Sequence, residues 1–302
     1  MQKINIFMTS LENSQLGKPS QYAERYDRSL LFRIEREENR TKYRIDAANL
    51  PFVGVDVWNA YEISFLTDQG LPVSRVMKMK YDASSKFMVE SKSLKLYLNS
   101  FNMEPCGATQ EEAAQKVKKT IIDDLSSLLE TEVAVSFFSN DSLQRSAFKG
   151  FPKLTQLIPV SDLEAIRFNH FHESPELLKG ELTKNLQTFT FCSDLLRSNC
   201  PVTNQPDWGD LFVKISSPYQ LDWTSILSYL VSFRRENHFH EAVTEMIFQR
   251  FMVVFQPAEL MVATMYTRRG GIDINPIRAT HTSLIDEAFT AMDVMLGKNL
   301  RQ

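Results

Sequence analysis

Apolar residues recur along the chain in two copies of one helical pattern. The segment from Glu90 to Phe101 and the segment from Asp222 to Phe233 are identical at five of their twelve positions. In both, apolar side chains follow the i, i+3, i+4, i+7 spacing that predicts one buried face of a helix. These side chains are Leu94, Tyr97, Leu98 and Phe101 in the first copy, and Ile226, Tyr229, Leu230 and Phe233 in the second. An internal repeat of this kind predicts two related structural units in tandem.

The flanks of the two copies support the same division. Thr109 and Glu112 have the spacing of a capping box, which predicts the start of a second helix in the first half. Residues 241–247 carry the matching helical pattern in the second half. Alternating apolar residues predict strands at 61–66, 76–81 and 133–137, and again at 188–195, 211–215 and 260–266. Strands grouped around helices predict an α+β fold, with antiparallel sheets and helices on one face. We predict units at residues 1–172 and 186–302, joined by a polar linker at 173–185.

Composition narrows the functional classes. The 302 residues include 34 Lys and Arg against 37 Asp and Glu, a net charge of -3, so no basic excess favours direct contact with nucleic acid. The chain has no apolar run of about 18 residues, and we therefore expect no membrane span. Three cysteines are too few for a disulfide scaffold, which favours a cytoplasmic protein whose cysteines are available for chemistry.

One loop combines a cysteine with an acid. Cys200 is followed by two prolines that stiffen the loop, and then by Asp207 and Trp208. A thiol becomes a nucleophile when its pKa is lowered, and a carboxylic acid kept protonated beside an aromatic ring can donate a proton. Cys200 and Asp207 are therefore a candidate nucleophile and general acid. A small buried hydrophobe followed by a turn aspartate is the alternative, and the residues alone leave both open.

Two further stretches hold groups suited to binding. His238 and His240 are two positions apart, but nothing nearby completes a zinc site, so we expect no metal. His240 can instead orient substrate or move a proton, while Glu241 accepts hydrogen bonds from a heterocycle; a solvated helix start is the alternative. The run Arg268-Arg-Gly-Gly271 can approach a phosphate closely, unless it is a basic surface turn. The chain lacks the glycine motif of a Rossmann domain.

Glu90 opens the first repeat helix, between Val89 and Ser91. A carboxylate at a helix N-terminus is electrostatically favoured, so capping is one explanation of this residue. A buried carboxylate can also accept hydrogen bonds from the ring N–H and amino donors of a guanine-like base. The sequence leaves these two roles open.

Several motifs together resemble the family of NADPH-dependent 7-cyano-7-deazaguanine reductases, the nitrile reductases of queuosine biosynthesis, in its long two-module form. The motifs are Glu90-Ser-Lys-Ser-Leu-Lys-Leu-Tyr97, Cys200-Pro-Val-Thr-Asn-Gln-Pro-Asp-Trp208, Phe239-His-Glu241 and Arg268-Arg-Gly-Gly-Ile-Asp-Ile-Asn-Pro276. The resemblance extends over nearly the whole chain. It departs from the family pattern at Leu31-Phe-Arg-Ile-Glu35, where we would expect prolines.

The resemblance implies two tandem tunnelling-fold units, each an antiparallel four-stranded sheet with two helices on one face, in a homodimer. It also implies an oxidoreductase that converts a nitrile to a primary amine through a covalent cysteine thioimide. That reaction uses two NADPH per turnover and no metal, and it serves tRNA modification. The implied catalytic residues are Cys200, Asp207 and His240. The implied deazapurine-binding residues are Val89, Glu90, Ser91, His240 and Glu241, and the implied NADPH contacts are Ser91, Lys92, Arg269 and Gly270.

Two other functional classes remain. A cysteine hydrolase acting on a nitrile or amide would need no NADPH and no arginine–glycine site. A purine- or pterin-binding scaffold of the same fold would carry an inert Cys200. Thiol labelling distinguishes the scaffold from both enzymes, and nicotinamide dependence distinguishes the two enzymes.

Overall fold

The computed structural model describes residue 23, residues 25–139, residues 142–297 and residue 302. The helices are α1 (Glu37–Lys42), α2 (Ser91–Asn99), α3 (Gln110–Leu129), α4 (Val160–Ala165), α5 (Trp223–Ser232), α6 (His240–Phe255) and α7 (Glu287–Thr290). The strands are β1 (Arg33–Glu35), β2 (Val53–Leu66), β3 (Pro72–Asp82), β4 (Phe87–Val89), β5 (Val133–Phe138), β6 (Gln144–Arg145), β7 (Gly180–Asn199), β8 (Pro206–Leu221), β9 (Glu259–Tyr266), β10 (Ile272–Ala279) and β11 (Met295–Leu296). All six predicted strand segments fall within these strands, and both predicted helix pairs are present.

One antiparallel sheet of seven strands runs through both halves, in the order β5-β3-β2-β10-β9-β8-β7. Strand β2 of the first half pairs with β10 of the second, from Val53 opposite Ala279 to Ala60 opposite Ile272. The second half contributes the four strands expected of it. The first half contributes three, because the short, exposed and polar β6 pairs with β11 in a separate sheet. The expectation of four strands in the first half is therefore wrong for this sheet.

The two helix pairs pack on the same face of the sheet. Helices α2 and α3 form one core cluster with β2 and β3, which includes Trp58. Helices α5 and α6 form a second cluster with β8 and β9, which includes Val262. Because neighbouring strand residues point to opposite faces, Val57 and Met261 lie on the other face, where Phe289 of α7 helps to cover them. The prediction of helices on one face is confirmed. Among the described residues, no helix has the length and apolar character that crossing a bilayer requires.

The two copies of the repeat make the same local hydrogen bonds. The Glu90 carboxylate caps α2 by accepting from the backbone N–H groups two and three residues later. Asp222 caps α5 in the same way. Four serine hydroxyls donate to the carbonyl three residues before them: Ser93 to Glu90 (2.8 Å), Ser100 to Tyr97 (2.6 Å), Ser225 to Asp222 (2.7 Å) and Ser232 to Tyr229 (2.6 Å). The repeat therefore fixes where both helices begin.

Two further predictions concern the start of α3 and the linker at 173–185. Helix α3 begins at the predicted capping box of Thr109 and Glu112. The predicted linker at 173–185 contains a short 3-10 helix and then the start of β7, where Gly180 pairs with Leu221. Since β7 is an edge strand, polar residues that suggest a linker are also typical of its exposed side. The division of the chain into units stays a prediction.

Candidate active site

A small cavity lies where the two halves meet. Its wall includes seven of the residues expected at the site: Val89, Ser91, Cys200, Asp207, His240, Glu241 and Arg269. Val89 ends β4 and Ser91 begins α2, whereas Cys200 and Asp207 belong to the β7–β8 hairpin. His240 and Glu241 begin α6, and Arg269 lies between β9 and β10. Pairing of β2 with β10 joins the two halves of the chain. It brings the start of α2 close to the hairpin and to α6, which lie more than 100 residues later in the sequence.

Cys200 is the first residue of the loop between β7 and β8, and only 4% of it is exposed. Its backbone N–H donates to the carbonyl of Gln205 at 2.9 Å, and its carbonyl accepts from the N–H of Asn204 at 3.1 Å. Asn204 adopts a left-handed conformation, φ 55°, that turns the chain back into β8. The thiol is therefore held in one place on the cavity wall.

Asp207 is the second residue of β8 and is buried. One carboxylate oxygen lies 3.0 Å from Nε of Arg269, and the other lies 3.4 Å from Nε2 of His240. The aromatic neighbour inferred from sequence, Trp208, contacts the guanidinium of Arg234 instead. Adjacent strand residues point to opposite sides, which explains this difference. Asp207 and His240 therefore lie side by side on the cavity wall that also holds Cys200.

His240 is fixed by stacking. Its ring lies parallel to that of Tyr266, with centroids 3.8 Å apart and an angle of 5° between the planes. Nε2 faces Asp207, while Nδ1 is buried and has no hydrogen-bond partner among the described residues. A buried polar atom without a partner is costly, so a ligand atom at Nδ1 would be favourable.

Glu241 follows His240 in the first turn of α6 and is 3% exposed. Burial, with a smaller contribution from the Asp56 carboxylate, raises the pKa of Glu241 to about 7, while Arg36 and His240 act in the opposite direction. Among the described residues, no Lys, Arg or His nitrogen lies within 4.0 Å of its carboxylate. The carboxylate is thus available as an acceptor on the cavity wall.

Glu90 is placed differently from the other expected binding residues. Its carboxylate accepts from the backbone N–H of Lys92 at 2.8 Å and of Ser93 at 2.9 Å, so its visible role is the helix cap. Burial raises its pKa. It is not among the residues that line the cavity, although its neighbours Val89 and Ser91 are. Contact with a substrate stays a prediction for this residue.

A second, larger and more open cavity adjoins the first and shares Ser91, His240 and Arg269 with it. All four residues expected to contact NADPH line it, since Lys92 and Gly270 are on its wall as well. Gly270 has φ +58°, and a Cβ there would approach Lys95 Nζ to 3.0 Å. Lys95 also lines this cavity and was not among the expected residues, although its position three residues after Lys92 puts both on one helix face.

The two histidines considered for a metal have different partners. His238 lies 2.7 Å from a Glu236 carboxylate oxygen and 3.0 Å from the Tyr43 hydroxyl. His240 is stacked on Tyr266 beside Asp207. In the described ranges, no group of three or more His, Cys, Asp and Glu side chains is arranged to hold a metal ion.

The fold and site define a mixed α/β protein in which a buried cysteine shares one cavity wall with an adjacent aspartate and histidine, and a basic cavity adjoins it. Residues 22–137 match the family described as nitrile reductase, 7-cyano-7-deazaguanine-reductase N-term, and residues 206–284 match a QueF-like protein family. The chain belongs to the NADPH-dependent 7-cyano-7-deazaguanine reductase family.

Curated relatives agree with these matches over almost their whole length. The protein from Chromobacterium violaceum is 38% identical over 278 residues, which are 91% of this chain and 95% of the relative. The protein from Polaromonas sp. is 40% identical over 274 residues, with 91% and 95% covered. Both are named NADPH-dependent 7-cyano-7-deazaguanine reductase. A solved archaeosine synthase QueF-Like structure covers 32% of this chain and 94% of its own at 14% identity, and its TM-score of 0.28 is too low to support an inference.

Proposed function

We propose that this protein reduces the nitrile of 7-cyano-7-deazaguanine to 7-aminomethyl-7-deazaguanine, using NADPH, as a step of tRNA queuosine biosynthesis. The observation that carries the proposal is the meeting of Cys200, the Asp207–His240 pair and the available Glu241 carboxylate on one cavity wall, with a basic cavity adjoining it. The names of the relatives supply the substrate and the reductant.

Glu241 is the residue we propose to recognise the base. A deazaguanine presents ring N–H and amino donors along one edge, and a carboxylate accepts two such hydrogen bonds. A hydrogen bond to a charged acceptor in a buried site contributes about 1.5–3 kcal/mol. We propose that Val89, Ser91 and His240 line the same subsite and that Glu90 supports it from the helix cap.

Cys200 is the proposed nucleophile. Its sulfur forms a bond to the nitrile carbon while the nitrile nitrogen takes up a proton, which gives a covalent thioimide. Without that proton, the attack would leave a negative charge on nitrogen, so an acid close to the sulfur is required. The Asp207–His240 pair meets this requirement, since its two side chains are 3.4 Å apart and share the cavity wall with Cys200.

Reduction to the amine needs two hydride equivalents and two protons. The first hydride adds to the thioimide carbon; the carbon–sulfur bond then breaks, the thiolate leaves and an imine remains. The second hydride reduces the imine carbon, and protonation completes the primary amine. The reaction therefore consumes two NADPH per nitrile. Between the two steps, the oxidised cofactor must leave the basic cavity and a second NADPH must enter it.

The adjoining cavity fits a dinucleotide phosphate. Lys92 and Arg269 supply positive charge, and the left-handed Gly270 allows backbone to approach a ligand without a side chain in the way. NADPH bound here would supply hydride to the neighbouring cavity. We propose that Ser91, at the boundary of both cavities, contacts both ligands.

We further infer that the halves are tandem tunnelling-fold units within residues 1–172 and 186–302, and that the protein forms a homodimer in the cytoplasm. Neither a metal nor direct contact with nucleic acid has a role in the proposed reaction. The internal repeat and its matching helix caps support the tandem units.

The deciding experiment follows NADPH absorbance after 7-cyano-7-deazaguanine is added, with the amine product quantified by mass spectrometry. We expect two NADPH to be oxidised for each nitrile consumed. Conversion of the nitrile to an amide or acid without NADPH oxidation would favour the hydrolase instead. Tight binding of the base with neither change would favour the scaffold.

Replacing Lys92 by glutamine is expected to raise the KM for NADPH about tenfold, since loss of one charge-assisted contact to phosphate costs about 1.4 kcal/mol or more. The KM for the nitrile should stay within about twofold. Lys116→Gln, an exposed lysine of α3, is the matched control and should change neither constant. Equal changes in both KM values for Lys92→Gln would contradict the assignment of the basic cavity to NADPH.

A further inference from the structure

Trp58 is a buried residue of β2 whose indole nitrogen has no role in the steps described above. Its side chain is 1% exposed and lines the same cavity as Cys200 and Glu241. The nitrogen, Nε1, is buried and has no hydrogen-bond partner among the residues that the structure describes. An indole N–H is a donor only, and a buried donor without an acceptor is costly. The cavity wall therefore includes a donor that a bound molecule can satisfy.

The surroundings of Trp58 explain why its N–H is unpaired. On the flanking strands, the residues opposite it are Met79 of β3 and Ile274 of β10, and neither side chain can accept a strong hydrogen bond. The ring of Tyr81 lies 6.5 Å away, centroid to centroid, and its hydroxyl does not accept from the indole N–H. Packing thus holds the indole in place on several sides and leaves its donor unused.

Trp58 lies between two contacts that mark the ends of the site. Two residues earlier on β2, Asp56 shares an arginine of β10 with Glu245 of α6. Three residues later, β2 hydrogen-bonds to the β9–β10 connection, from which Arg269 contacts Asp207. Helix α6 spans the same interval, because it begins beside Asp207 and reaches the shared arginine little more than one turn later. Trp58 is therefore level with the first turn of α6, and both line the cavity.

The order of polar groups around 7-cyano-7-deazaguanine limits what the indole can meet. In the proposed pose, Glu241 accepts from the ring N–H and the amino group, and the nitrile carbon lies at Cys200. The 6-oxo oxygen lies between these two points on the rim of the base. A carbonyl oxygen needs a donor, and the carboxylate that accepts from the neighbouring N–H cannot also donate to it. A separate donor must therefore lie between Glu241 and Cys200.

We propose that Trp58 is a specificity-determining residue for the base: its Nε1–H donates to the 6-oxo oxygen while Glu241 accepts from the adjoining N–H and amino groups. One donor beside an acceptor for two N–H groups is the complement of a guanine-type edge. An adenine-type base presents an amino donor where the indole also donates, and it lacks the ring N–H, so it is rejected at two points. This inference rests on the proposed function, because it requires that the cavity bind the deazaguanine.

The test measures dissociation constants by calorimetry in the Cys200→Ala protein, which cannot attach the nitrile covalently. The two ligands are 7-cyano-7-deazaguanine and its 6-thio analogue, which keeps the ring N–H and the amino group but accepts hydrogen bonds only weakly at sulfur. We expect the thio analogue to bind about tenfold more weakly than the oxo base. Adding Trp58→Phe, which removes the N–H and keeps an aromatic ring, should weaken the oxo base about tenfold and the thio base less than about twofold.

Trp223→Phe, in the same Cys200→Ala protein, is the matched control. Trp223 packs edge-on against Phe189 and Phe191 and is not among the residues that line the cavity. Both affinities should be unchanged in this variant. A preference for oxo over thio that is the same with and without the Trp58 N–H would overturn the proposal, since it would reflect only the size of sulfur.

The 3-deaza analogue examines the other acceptor on the rim of the base, the ring nitrogen beside the amino group. It replaces that nitrogen with carbon and leaves the 6-oxo group intact. We expect Trp58→Phe to weaken this analogue as much as it weakens the parent base. If the analogue instead binds Trp58→Phe and the unaltered Trp58 equally well, the indole donates to the ring nitrogen and the assignment to the 6-oxo oxygen is wrong.

Nuclear magnetic resonance of the Cys200→Ala protein decides the question if Trp58→Phe does not fold. The chain has three tryptophans, so isotope labelling of the indole nitrogens gives three N–H signals, and single replacements of Trp208 and Trp223 identify the other two. The Trp58 signal should move downfield when the oxo base is added and much less with the thio analogue, while that of Trp223 stays in place. An unchanged Trp58 signal at saturation would contradict the proposed hydrogen bond.

Failure of the proposed function gives a different result from failure of this inference. If neither base binds the Cys200→Ala protein, the cavity is not a deazaguanine site, and both the function and the role of Trp58 are wrong. If the protein with Cys200 intact reduces the nitrile with two NADPH, but the oxo-to-thio preference does not respond to Trp58→Phe, the function stands and only the role of Trp58 is lost.

Discussion

Cys200→Ala is expected to lower NADPH oxidation in the presence of 7-cyano-7-deazaguanine by at least about 1,000-fold, because no other group can form the thioimide bond. The same variant should still bind the nitrile, since Glu241 and the rest of the cavity wall remain. Mass spectrometry of the intact protein, mixed with nitrile and no NADPH, should detect one covalent adduct in the wild type and none in the variant.

Cys192→Ala is the matched control for this substitution. Cys192 is also a free cysteine on β7, eight residues earlier, and its sulfur donates to the carbonyl of Phe151 at 3.4 Å, away from the cavity. Activity and adduct should both persist in this variant. An adduct that forms in Cys200→Ala, or turnover within tenfold of the wild type, would show that the nitrile is reduced without covalent attachment to Cys200.

The internal repeat made much of this fold predictable. A helix face read at i, i+3, i+4 and i+7, together with a capping residue, is a local property, and both helix starts at Glu90 and Asp222 have the predicted form. The six strand segments were predictable for the same reason. The absence of a fourth strand of the first half from the seven-stranded sheet was not predictable, because it depends on the pairing of β6 with the distant β11.

In the candidate site, too, the residues of local motifs were predictable and the contacts between distant parts of the chain were not. Motifs identified Cys200, Asp207, His240 and Glu241, and the structure brings all four to one cavity. Sequence reasoning did not find the ion pair of Asp207 with Arg269, because Arg269 reaches it from the β9–β10 connection, 62 residues away in the chain. Sequence reasoning also missed the buried ion pair of Arg40 with Glu245, because the two residues are 205 apart in the chain and no local pattern distinguishes a buried arginine in α1 from a solvated one.

Glu241→Gln is expected to raise the nitrile KM about 100-fold while it increases stability in alkaline solution. The amide keeps one acceptor but presents N–H donors to a base edge that also donates, so recognition fails. Glu111→Gln is the matched control, because Glu111 is the equivalent second residue of α3 and is exposed to solvent. It should leave the KM unchanged.

The sign of the stability effect follows from the direction of the pKa change. The folded pKa of Glu241, about 7, is above its ordinary value of 4.5, so the folded protein holds this proton more tightly than the unfolded chain. The resulting stabilisation is fully present below pH 4.5 and is lost as the pH rises through 7. The difference between the two values corresponds to about 3 kcal/mol.

Glutamine carries no charge at any pH, so Glu241→Gln does not suffer this loss. Urea unfolding should therefore give similar free energies for variant and wild type near pH 4.5, and a variant more stable by about 3 kcal/mol at pH 8. A variant less stable than the wild type at pH 8 would mean that the carboxylate is supported well enough to contribute to folding. The expected result instead describes a residue kept for binding the base at a cost to stability, which is common where a buried charge must meet a ligand.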